Sequence, residues 1–106
     1  MPTYFGMYKI NANLPPPQDP KEQLKQLEGF KAAINHEIQS GVIKESNEFL
    51  EADGGYFITK DVSPEQLHAA LTGWFPYVTF EIHQTIPSQK AIENAISAIK
   101  MRVGMM

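Results

Sequence analysis

The sequence predicts an α+β domain: four short strands in one antiparallel sheet, two helices crossing it on one side, and a third helix after the last strand. Three observations carry this. Strand-like and helix-like hydrophobic periods follow one another in the order β-α-β-β-α-β and then α. Both crossing helices open on a proline preceded by a capping residue, at Asp19-Pro20 and Ser63-Pro64. The run Tyr77 to Ile86 alternates Val78, Phe80 and Ile82 with Tyr77, Thr79, Glu81 and His83, the period of a strand whose two faces meet different surroundings.

Residues Tyr4 to Ala12 are rich in aromatic and β-branched types and read as the first strand. It stops at Asn13-Leu-Pro-Pro-Pro17, where three prolines exclude both ladder and helix. Asp19 then caps a helix with Pro20 in its first turn, and Glu22 is placed to complete the reciprocal cap. Leu24, Leu27, Phe30, Ile34 and Ile38 form its inward stripe, and Ser40-Gly41 ends it, since glycine tolerates the left-handed cap. The polar run Lys44, Glu45, Asn47, Glu48 and Glu51 reads as an edge strand kept soluble by charge. Asp53-Gly54-Gly55 reads as the turn of a hairpin leading into Tyr56 to Lys60. A short helix from Ser63 turns Leu67, Ala70 and Leu71 inward and stops by Gly73. The last helix spans about 88–102, with Ile92, Ile96, Ile99 and Val103 on its stripe and Lys100 and Arg102 near its negative end.

This order is the split βαβ, or ferredoxin-like, arrangement, in which helices cover one sheet face only. The other face needs a cover. Phe5 and Met7 occupy one phase of the first strand, while Tyr4, Tyr8 and Ile10 occupy the other, so neither face is purely polar. A second copy pairing sheet on sheet into a dimeric α+β barrel satisfies that need, with the terminal helix strapping the neighbour. The alternative is a monomer whose last helix lies across its own open face.

A chain of 106 residues fits one domain spanning 1–106, and a core of that size folds without staples. Zero cysteines remove disulfides, thiolate nucleophiles and thiolate-ligated metals. A net charge of −3, with both signs interspersed, leaves no footprint for nucleic acid. No apolar run approaches the roughly 18 residues of a membrane span, and no leader pattern opens the chain. The expectation is a soluble cytoplasmic protein, with no nucleic-acid or membrane partner.

Glu81 and His83 leave the last strand on one face, with Tyr77 and Thr79 in line before them. A carboxylate and an imidazole on one wall can divide proton donation and abstraction. They are the candidate catalytic pair, and the plainer reading makes them half-exposed strand-end residues. Tyr77, Thr79, His68, Lys9 and Tyr8 are the candidate pocket residues. Lys9 lies amid aromatic residues and must pair or reach solvent, with Glu81 a conceivable partner. His36, His68 and His83 fall on three elements without a ligand spacing, so no metal site is expected.

The stretch Pro64-Glu-Gln-Leu-His-Ala-Ala-Leu71, followed by Phe75-Pro-Tyr-Val-Thr-Phe-Glu-Ile82, resembles muconolactone isomerase and its relatives in the dimeric α+β-barrel group. There a Leu-His helix likewise precedes a Phe-Pro-Tyr turn and a strand with an acidic residue at the place of Glu81. The resemblance implies a ferredoxin-like fold, homo-oligomerisation through the sheets, and a pocket for a small organic molecule without metal or organic cofactor. The second strand departs from the isomerases, reading Ile43-Lys-Glu-Ser-Asn-Glu-Phe49 where they are rich in Trp, Arg and His. The isomerases also lack the helix from Ser88 to Arg102. Two functions are thus expected: binding of a small metabolite with cofactor-free proton transfer, or a non-enzymatic binding or assembly module.

Overall fold

A computed structural model describes residues 2–105, in which β1 (Thr3–Ile10), α1 (Pro20–Gln39), β2 (Ile43–Glu48), β3 (Gly54–Thr59), α2 (Pro64–Thr72), β4 (Val78–Thr85) and α3 (Ser88–Gly104) follow one another. The strands form one antiparallel sheet in the order β2-β3-β1-β4. The architecture is α+β with three helices, consistent with a ferredoxin-like arrangement. The charged strand β2 lies at one edge, as its composition requires.

Local chemistry explains most of the boundaries. Ser63 accepts from the Gln66 amide while the Gln66 side chain accepts from the Ser63 amide, a complete capping box at the start of α2. Ser63→Ala is therefore expected to lower stability by about 1 kcal/mol in a urea melt. At α1 the cap is simpler: Asp19 accepts from the Lys21 amide, and Gln23 reaches back to the Pro17 carbonyl. Glu22 makes no reciprocal bond to the Asp19 amide. Gly41, at φ +87°, closes α1 as expected.

The β2–β3 turn differs from its sequence reading. Phe49 donates to the Gly54 carbonyl, and the residue with positive φ is Ala52 at +64°. Gly54 and Gly55 belong to β3, where there is no room for a side chain. A Cβ on Gly54 would meet the Tyr8 carbonyl, and one on Gly55 would meet the Asn47 carbonyl and the Tyr8 ring. β1 also ends earlier than predicted, at Ile10, because the chain turns just after it: Asn11 accepts from the Asn13 amide through its side chain and from the Leu14 amide through its carbonyl.

The core lies between the sheet and α2. Tyr4, Ile43, Phe57, Val62 and Leu67 are buried, and Tyr8, Leu71, Phe80 and Ile82 pack against them. Thr59 is fully buried and accepts from the Tyr4 amide, which offsets the cost of burying its hydroxyl. The ring of Phe57 stands over Gly6, whose missing side chain makes that space. Val78, Phe80 and Ile82 face this side, as the alternation predicts.

Helix α1 does not close down on the sheet. Leu24 and Leu27, expected inward, are 59% and 63% exposed, and Ile34 and Ile38 are exposed too. Phe30 anchors α1 to the turn before β4, its ring packing on Trp74 and Tyr77 at centroid distances of 5.3 and 5.1 Å. Helix α3 is freer still: every described residue in it is exposed. Neither its own sheet face nor any other element covers its stripe. The result is a long molecule, 70 × 27 × 22 Å, with a radius of gyration of 18.8 Å against about 13 Å for a compact chain of this length. Its accessible surface is 8258 Å², against about 6,000 Å² for a compact monomer of this mass.

Candidate functional site

Two surfaces can hold a ligand, one on each side of the sheet. On the side away from α1 and α2, strand register sets Phe5 opposite His83, Met7 opposite Glu81 and Lys9 opposite Thr79. Opposed residues share a face, so these six line up together. Across β1 the same face continues into Tyr56, opposite Met7, and Ile58, opposite Phe5. An apolar floor thus runs between the polar residues of β4 and those of β2. On the β2 flank, Tyr56 Oη donates to Glu45 at 3.1 Å and accepts from Asn47 at 3.0 Å. The Phe5 ring stacks on Tyr56 at 5.9 Å, which fixes the ring that carries this cluster.

The candidate catalytic pair is adjacent. His83 Nε2 lies 3.6 Å from Glu81 Oε1, with 60% and 66% of the two side chains open to solvent. At that separation a proton can be shared through a small shift or one water. In the isolated chain, water screens the pair and weakens its coupling. Glu81 also borders a shallow hollow of about 420 Å³ with Lys9 and Thr79. The structure therefore brings four predicted residues, Tyr8, Lys9, Thr79 and Glu81, to one hollow, with His83 paired to Glu81 on the same strand. Lys9 forms no ion pair with Glu81; its register partner is Thr79, Glu81 stands opposite Met7, and the exposed Lys9 reaches solvent instead.

Two other predicted pocket residues lie elsewhere. Tyr77 precedes β4 and packs on Phe30, which carries it to the helix side; the strand period does not extend back through the Phe75-Pro76 turn, whose peptide is cis. His68 is exposed on α2 and borders neither hollow, because Leu67 and Leu71 take the inward positions of that short helix. Tyr8 borders both surfaces. Burial, and secondarily the charge of Glu48, raises its hydroxyl above the ordinary tyrosine value. Tyr8 therefore stays protonated at neutral pH.

The larger hollow is on the helix side. Because α1 stands off the sheet, a mostly apolar groove of about 910 Å³ runs between Leu27, Phe30 and Ile34 on one wall and Tyr8, Val78 and Phe80 on the other. That volume is at the upper end for small-molecule sites. The three prolines of the connector also line this groove. Sequence reasoning missed this groove, since the α1 stripe is the ordinary signature of a helix packed flat. The Glu45–Asn47–Tyr56 cluster was also missed, although the alternation of β2 placed Glu45 and Asn47 on one face.

Among the described residues, no group of three or more His, Asp or Glu side chains is placed to hold a metal ion. None of the described helices is long and apolar enough to cross a membrane. No family model matches the chain, and no match is found among curated proteins.

Proposed function

We propose that the chain is a ferredoxin-like domain that self-associates through its open sheet face as a dimeric α+β barrel, enclosing a small, mostly apolar organic molecule beside Glu81 and His83. The observation that carries this reading is the uncovered floor of Phe5, Met7, Tyr56 and Ile58, flanked by that acid–imidazole pair. Closing a second sheet over the floor expels water from the pair, and a lower local dielectric strengthens its coupling. Glu81 then takes a proton from carbon next to a carbonyl and His83 returns one, with no cofactor required. The resemblance of Pro64–Ile82 to muconolactone isomerases points the same way, while the altered β2 favours a ligand other than a carboxylated lactone.

Deuterium exchange into small carbonyl compounds in D2O, followed by NMR, tests this. Glu81→Gln is expected to slow exchange by at least about 100-fold while the sedimentation mass stays that of a dimer. Unchanged exchange in that variant removes Glu81 from the chemistry.

The helix-side groove favours a second reading, a non-enzymatic carrier of an apolar molecule. In that case the rise in melting temperature caused by a ligand disappears in Phe30→Ala and survives in Glu81→Gln.

A further inference from the structure

We infer that α3 is an antiparallel self-pairing helix, joining two copies of this chain through a seam of Ile92, Ile96, Ile99 and Val103 with Glu93 of each copy facing Lys100 of the partner subunit. The inference rests on the self-association proposed above and adds a second, separate contact to it.

The spacing of the stripe is four, three, four, the repeat of a coiled-coil seam rather than of a helix lying on a sheet. All four residues are 48–65% exposed, so the seam has no partner within its own chain. Ala95 flanks the seam directly and leaves room for close approach of a second helix on that side.

Charge selects both the occupant and its direction. Glu93 follows Ile92 and Lys100 follows Ile99, so both lie on the same flank of the seam; Ala95 and Arg102 lie on the opposite flank. In an antiparallel pair each flank meets its own counterpart. The register that stacks Ile92 on Val103 of the partner subunit and Ile96 on Ile99 of the partner subunit uses every apolar layer. It also sets Glu93 against Lys100 of the partner subunit, twice by symmetry. A parallel pair instead sets Lys100 against Ala95 of the partner subunit, and neither charge is matched. Within one chain Glu93 has only a loose contact to Lys90, 3.9 Å apart with both side chains largely exposed, which leaves it free to turn across the seam.

The full chain, which contains no cysteine, is suited to a disulfide test. Ile92→Cys and Val103→Cys are made separately, mixed, and oxidised. A covalent heterodimer is expected from the mixture and none from either variant alone, since residues 92 of the two copies lie about 16 Å apart along an antiparallel pair. In sedimentation, Glu93→Lys and Lys100→Glu should each weaken the dimer about tenfold, because two attractive pairs become two repulsive ones. The double variant should restore it. Self-linking of Ile92→Cys, or a dimer indifferent to both charge changes, overturns the α3 pairing and leaves the sheet-face dimer standing. A wild-type chain that sediments as a monomer overturns both.

Discussion

Phe57→Ala is expected to cost about 3–5 kcal/mol, a large part of the about 5–15 kcal/mol that holds a small domain together. Phe57 is 4% exposed and is one of two aromatic side chains in a core of five buried apolar residues. Its ring sits over Gly6 on β1 and meets Phe80 of β4 edge-on at 6.1 Å. One side chain therefore ties together three neighbouring strands. The ring also borders the helix-side groove, so truncation enlarges an existing hollow instead of leaving a sealed void. Urea unfolding measures the loss, and a cost below about 1 kcal/mol would remove Phe57 from the centre of the core. Coupling to Gly6 gives a sharper version. Gly6→Ala drives a methyl group into the ring, whereas in a Phe57→Ala background that methyl has room, so the double variant should be clearly less unstable than the two single losses combined.

Gly54→Ala is expected to cost about 3 kcal/mol despite adding one methyl group, because the obstacle is backbone. The new Cβ would collide with the Tyr8 carbonyl and the Lys9 Cα, and neither can move without parting β1 from β3. That ladder is pinned just beyond by the Ile10 amide donating to the Asp53 carbonyl at 2.9 Å. Gly29 provides the contrast. It lies within α1 with nothing near its absent Cβ, and Gly29→Ala should raise stability by about 1 kcal/mol through helix propensity alone. Opposite signs for one chemical change at two glycines, read as melting temperature, check the strand assignment of Gly54. If Gly54→Ala were neutral, residues 54 and 55 would be the turn that composition suggested.

These two sites show which parts of the structure were legible in the chain. Helix starts depend on a few neighbouring residues, and Ser63-Pro64-Glu65-Gln66 specified the capping box of α2 before any contact was known. The alternation along β4 is equally local, and it assigned Val78, Phe80 and Ile82 to one face and Thr79, Glu81 and His83 to the other. Gly54-Gly55 was misread because a turn and a crowded strand both call for glycine, and only the position of Tyr8, far off in sequence, separates them. Tyr77 was misplaced for a similar reason: a strand period says nothing about where a turn interrupts it. The stripe of α1 was read correctly as apolar, but how closely a helix approaches a sheet depends on what fills the gap between them. Of the candidate site, the pairing of Glu81 with His83 followed from spacing alone. The nearby Glu45–Asn47–Tyr56 cluster needed strand register to appear.

The bare surface of α3 also bears on how much helix the protein contains. Seventeen residues are near the shortest length at which a helix persists in water without tertiary support, and its first turn has no side-chain cap. Its coil and helix forms are therefore close in free energy until something covers the isoleucines. Ellipticity at 222 nm should accordingly fall on dilution even while the sheet domain stays folded. With the α3 pairing inferred above, helix content becomes a binding isotherm.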